Sequence, residues 1–182
     1  RIAANDQWDT DPAPGLGAFV LPPGSKDAVI AATLGGAGYT AQVTGQSEST
    51  GVALVEVYEA EAGGARLKNL SARSRTGPGA ENLIAGWVVR GGARRLLVRA
   101  VGPGLAPFGV TEVLLDPRIE VRDDRGVRVA EANDWEEGGA AAVLAAAGEA
   151  VGAFPLRPGS RDAALIAHLP AGGYTATVTG GG

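Results

Sequence analysis

The sequence has no cysteine, so disulfides and Cys-based metal sites are excluded. Its one histidine, His168, leaves no second histidine to pair with. A Ser-His-Asp triad or a zinc centre therefore has almost nothing to be built from, and His168 is expected to be a surface residue of a strand. Methionine is absent too, even at position 1, which marks the chain as a processed product or a window through a longer one. Aromatics make up 5%, so the core must be assembled from Val, Leu, Ile and Ala. The longest uncharged apolar run, residues 138–148, is well short of the roughly 20 residues that a membrane-spanning helix needs. Net charge is −4, which argues against a general nucleic-acid surface. The Arg90–Arg95 stretch (RGGARR) is too short and isolated for such a role.

What is abundant is glycine (29) and proline (11), in 182 residues. That balance belongs to a turn-rich β protein. The arrangement is dominated by a repeat. Residues 27–45 (DAVIAATLGGAGYTAQVTG) recur as 162–180 (DAALIAHLPAGGYTATVTG) at a constant offset of 135 (162 − 27), with eleven of nineteen positions identical. Each copy is an apolar run, a Gly-rich turn and an alternating run, which predicts a β-hairpin. Tyr39, Ala41 and Val43, with Tyr174, Ala176 and Val178 in the second copy, would face the core.

The order of the remaining segments defines a module. Residues 51–59 (GVALVEVYE) are apolar on both faces except Glu56, the pattern of a central strand. Glu61 to Ala65 reads as a linker. Residues 67–74 alternate as a strand. Residues 82–90 and 94–101 are apolar strands joined by Gly91-Gly92, again a hairpin signal. Residues 118–122 and 127–130 flank the turn Asp123-Asp124-Arg125-Gly126. Asn133-Asp134-Trp135 repeats Asn5-Asp6-Gln7-Trp8. Residues 136–151 are Ala-rich and predict a short surface helix, capped by Asp134 and ended by Gly152. The first copy has prolines in the matching region and cannot form that helix.

The expectation is thus an all-β protein of antiparallel β-sandwich modules, jelly-roll or Ig-like, in tandem. Residues 1–62 would be the C-terminal half of one module, and 63–182 a second module lacking its final strand, because nothing after 180 matches 51–59. A sheet without its last strand exposes unpaired backbone groups over an apolar face. Either the next residues of an array supply the strand, or subunits exchange strands. Gly51, Val52, Leu54, Val55 and Val57, with Tyr174 and Val178, are therefore the expected assembly residues.

Three stretches carry a resemblance. They are Arg66-Leu67-Lys68-Asn69-Leu70-Ser71, Asn82-Leu83-Ile84-Ala85-Gly86 and Leu97-Val98-Arg99-Ala100-Val101-Gly102-Pro103-Gly104-Leu105. Together with GVALVEVY at 51–58, they resemble a module of large repetitive secreted or surface proteins of environmental bacteria. More distantly, a strand, Asp-x-x-Gly, a strand, Asn-Asp and then Pro-Ala-Gly-Gly-Tyr-Thr is similar to bacterial pre-peptidase C-terminal domains, jelly-roll-like accessory modules of secreted enzymes. The resemblance implies an extracellular or cell-surface setting and no catalytic residues.

The function expected is a non-enzymatic structural module of an extracellular bacterial fibre or stalk. Its partner would be itself, through tandem modules or strand exchange. The alternative is a carbohydrate- or matrix-binding accessory module of a secreted hydrolase, with Trp8 and Trp135 either stacking on sugar rings or plugging the end of the fold. No cofactor is expected. Asn5, Asp6, Asp9, Asp11, Asp123, Asp124, Asn133, Asp134, Glu136 and Glu137 could offer calcium its oxygen ligands, but their spacing does not match a calcium loop, and Asx turns explain them more simply. Gly35-Gly36-Ala37-Gly38 and Gly102-Pro103-Gly104 lack the Lys-Ser/Thr of a phosphate loop and read as turns. Asn69-Leu70-Ser71 is formally a glycosylation sequon within an expected strand.

Overall fold

A computed structural model of the chain describes residues 1–8, 16, 18, 20–60, 66–77 and 81–181. The Asp9, Asp11 and 61–65 expectations lie outside these residues. The chain divides into two units, Arg1–Lys68 and Asn69–Gly182.

The second unit carries the regular structure. Among the described residues six strands form: β1 (Leu83–Val89), β2 (Arg94–Ala100), β3 (Pro117–Asp123), β4 (Arg128–Ala132), β5 (Ala163–Leu169) and β6 (Gly172–Gly180). An α-helix, α1 (Ala141–Val151), lies between β4 and β5. The protein is mostly sheet, in two antiparallel sheets. One has four strands in the order β1-β6-β3-β4, and the other pairs β2 with β5. Strands of both sheets share one core, with Val89, Ile119, Val121, Tyr174 and Ala176 from the first and Ala100, Ala163, Leu165, Ala167 and Leu169 from the second. Trp87 stacks on Tyr174 beside this core, ring centres 6.2 Å apart. Small residues on β5 and β6 offset the scarcity of aromatics by allowing close approach.

A second apolar cluster lies on the other face of β5. Trp135, Leu144 and Ala164 are buried there, with Leu97, Ala140, Leu156 and Ile166 around them. The strand is therefore covered on both faces, and its continuous apolar sequence follows from that.

Two expected hairpins turn out to be arches. The arms 162–169 and 172–180 fall in different sheets, since β5 pairs with β2 (Leu165↔Val98) and β6 with β1 and β3 (Ala176↔Ala85, Val121↔Ala176). Likewise β1 and β2 do not pair with each other across Gly91-Gly92. The glycines, at φ 71° and 117°, serve a crossing between layers instead of a two-residue turn. The reason is burial: β5 is apolar on both faces and cannot share the half-solvated sheet of β6, whose Thr175, Thr177 and Thr179 alternate with Tyr174, Ala176 and Val178. The Asp123–Gly126 turn is a true hairpin. There Asp123 accepts the Arg125 and Val127 amides at 3.0 and 2.8 Å, and β3 pairs with β4.

Helix α1 starts five residues later than expected. Gly138 and Gly139 take φ of 68° and 75°, which breaks the chain after a single 3-10 turn, Glu137–Gly139. Ala140 is the N-cap, with no side-chain cap bond, so Asp134 does not cap this helix. Gly152 ends it as expected, at φ 74°, with Ala153 N–H donating to the Gly148 carbonyl at 2.9 Å.

In Arg1–Lys68 no strand forms among the described residues. A single 3-10 turn, Gln46–Glu48, follows the first copy of the repeat. The strands expected at 27–45 and 51–59 do not form, and neither does the one expected at 67–74. Their side chains are exposed: Tyr39 45%, Val43 59%, Leu54 71%. The cause is composition of the chain, not of the segment. In the second copy β5 and β6 are held by β1, β2 and β3, and the chain contains those three strands once.

Candidate assembly site

The site begins at Asp162, the residue immediately before β5. It is fully buried, at 0% exposure. One carboxylate oxygen accepts the backbone amides of Gly102 and Gly104, at 2.8 and 3.1 Å. The other accepts the Ser160 hydroxyl at 2.7 Å. The Gly102-Pro103-Gly104 loop, expected to be a plain turn, is thus wrapped around an anion. A Cβ on Gly102 would meet the Leu114 carbonyl oxygen, and one on Gly104 would meet Val101 and the Asp162 carboxylate. Glycine is required there for close approach. Burial draws the Arg99 guanidinium below its ordinary value, and the Asp162 charge opposes that. Arg99 also lies over the Phe154 ring, 4.6 Å from its centre. These contacts fix where β5 starts and which way it runs.

The Asp162 carbonyl accepts the Trp135 amide at 2.9 Å. In an extended strand alternate residues direct their N–H and C=O to the same side. Ala164, Ile166 and His168 therefore present theirs to the edge away from β2. Among the described residues no second strand is hydrogen-bonded to β5 along that edge. A groove of about 440 Å³ runs along it, and three consecutive β5 residues, Ala164, Leu165 and Ile166, line it. Successive side chains point to opposite faces, so three in a row can share a groove only if it follows the backbone edge. The far walls include Ala132, Trp135 and Leu144. Two of the lining residues hold buried polar atoms with no partner among the described residues: Trp135, whose indole N–H is a donor, and Asp134, whose Oδ1 is an acceptor.

The other free edges are different in kind. β1 exposes Ile84 and Val88 on one face, and β4 exposes Arg128 and Glu131 (through pairs with Glu120 and Arg118), as outer strands of a one-sided sheet do. β2 carries Arg94, Arg95 and Arg99, charges that discourage further pairing.

The expected assembly residues fall into two groups. Tyr174 and Val178 lie on β6 against the shared core. Gly51, Val52, Leu54, Val55 and Val57 lie in an exposed stretch of the first unit, with Val52 fully exposed. Trp135 is buried in the second cluster, and the half-buried Trp8 donates its indole N–H to the Ser25 hydroxyl at 2.9 Å. Ser25 and Ser160 are repeat equivalents (160 − 25 = 135). Of the possible calcium ligands, Asp123 is occupied by its turn, and Glu136 accepts the Gly159 amide at 2.9 Å. No group of three metal-ligating side chains occurs among the described residues. His168 is exposed, opposite Arg95. No helix of the described residues is long and apolar enough to cross a membrane. Sequence reasoning missed Asp162; the signal available was two glycines, Gly102 and Gly104, spaced to bring two amides to one point.

No known protein family matches the chain, and no curated protein or solved structure matches it.

Proposed function

We propose that the chain is a non-enzymatic structural module of an extracellular bacterial fibre or stalk, built as a β-sandwich and polymerising with further modules of its own kind. One observation carries this reading: β5 is buried on both faces like a central strand, yet has a strand neighbour on one side. The repeat adds support, because the segment following the first copy of the β5–β6 sequence is an apolar stretch of strand-like sequence that pairs with no strand among the described residues. A carbohydrate-binding accessory role has less to rest on, since Trp135 is 6% exposed and offers no ring face to a sugar. Electron microscopy of concentrated, purified chain tests the proposal. Filaments or linear strings of particles are expected; uniform separate particles at every concentration would refute it.

A further inference from the structure

We infer that the free edge of β5 is an acceptor for residues 51–59 of a second copy of this chain, which adds to the β2-β5 sheet as a third strand. The inference rests on the reading of the chain as a self-assembling module, and it names the two surfaces that join. Three observations lead to it.

The first is position in the repeat. Residues 51–59 start six residues after Gly45, and Gly45 corresponds to Gly180 at the end of β6. In a complete module a strand of this sequence comes directly after β6. The second is pattern. A strand beside β5 would lie between the shared core on one face and the Trp135–Leu144 cluster on the other, so it must be apolar on both. Val52 and Leu54 alternate with Ala53, Val55 and Val57, with Glu56 the one charge inside the run, at its far end; the four large residues named are exposed, Val55 by 53% and Val57 by 50%. Nine extended residues reach about 30 Å, more than the roughly 23 Å of the seven-residue β5. The third is polarity. Two groove-lining residues, Trp135 and Asp134, carry a buried donor and a buried acceptor without partners among the described residues, close to the outward backbone edge of Ala164 and Ile166. A peptide backbone supplies both complements at every residue, whereas an apolar side chain supplies neither.

Hydrogen exchange of the full chain tests this at the Ala164, Ile166 and His168 amides. Exchange at all three is expected to slow at least tenfold between dilute and assembling concentrations. The double substitution Val55→Asp and Val57→Asp should abolish that dependence. Because both side chains are exposed, the near-ultraviolet signal of Trp87 and Trp135 should stay native, which separates loss of assembly from unfolding. The synthetic peptide GVALVEVYE, in excess over dilute chain, should protect the same three amides. Filaments that persist in the double variant, with the β5 amides unprotected throughout, would overturn the inference and leave the fibre reading standing. Free exchange at β5 with no assembly at any concentration would overturn both. Protection already complete in dilute monomer would place the donor in the same chain and overturn the second-copy assignment, as would a peptide that protects none of the three.

Discussion

Replacing Asp162 by Ala should cost the second unit about 3–5 kcal/mol, the range for removing one side of a buried charged contact. Asp162 is fully buried and holds two backbone amides and a hydroxyl at 2.7–3.1 Å. The Ser160 hydroxyl can turn towards water. The Gly102 and Gly104 amides cannot, because the loop is packed against Leu114 and Val101, and each buried unsatisfied donor costs about 1–3 kcal/mol. Arg99, half-buried, also loses the nearby negative charge. Against a total stability of roughly 5–15 kcal/mol for a domain, this is a large fraction. Asp162→Asn keeps an oxygen for the two amides and should cost about 1–2 kcal/mol. The repeat supplies an internal control. Asp27 is the equivalent residue and is exposed, so Asp27→Ala should change stability by less than about 0.5 kcal/mol. Urea titration followed by tryptophan fluorescence measures all three. A loss below about 1 kcal/mol for Asp162→Ala, or equal losses at 27 and 162, would refute the view that this carboxylate organises the start of β5.

Trp135→Ala should destabilise by about 3–5 kcal/mol, because it empties the cluster between β5 and α1, and calorimetry of the full chain would register it. Gly102→Ala should cost about 1–3 kcal/mol, as its Cβ would press on the Leu114 carbonyl, while Gly36→Ala, with open space around it, should be neutral in the same titration. Acid should loosen the β3–β4 hairpin selectively. The Arg125 guanidinium holds the Asp123 carboxyl below its ordinary value, and Arg118 does the same for Glu131. A carboxylate with a depressed folded value stabilises above its unfolded value and loses that contribution as pH falls. Protection of the Arg128–Ala132 amides, taken as exchange relative to the intrinsic rate at each pH, should therefore be constant from neutrality down to the ordinary carboxylate range, then fall until the depressed values are passed; a loss near pH 7 would contradict the assignment.

The six strands of the second unit could be read from the sequence because each is a short apolar or alternating run between turn residues, although the same pattern at 67–74 forms no strand. The sheet to which each strand belongs could not. Gly91-Gly92 and Pro170-Ala171 permit a hairpin or an arch, and local sequence favours the nearer partner. The choice is made by burial of β5 on both faces, which depends on a helix and a tryptophan from elsewhere in the chain. The helix start was misplaced for a local reason, the two left-handed glycines, which cost more than the Ala-rich run returns. Of the assembly site, the donor stretch stood out as a strand without a match. The acceptor did not, since an edge exists only once strand order is known. In Arg1–Lys68 propensity alone predicted strands, and propensity without partners does not make a ladder.

The arch has a consequence for the order of events in synthesis. β6 pairs with β1, and the Leu83↔Val178 partners are 95 positions apart (178 − 83), so the four-stranded sheet closes only after β6 itself has been made. A near-copy of β6 is already present by then: residues 37–45 leave the ribosome before β1 does and carry the same Tyr, Ala and Val on the core face. Selection between the two must come from the other arm. Ala163, Leu165, Ala167 and Leu169 have Ala28, Ile30, Ala32 and Leu34 as counterparts, which fit the same space. Ala164, packed on Trp135 and Leu144, has Val29, and two extra methyl groups there would overfill the cluster. Ile166, packed on the same cluster, has Ala31, which would leave part of it empty. Those two positions together are what sets the late copy apart from the early one on the Trp135 face.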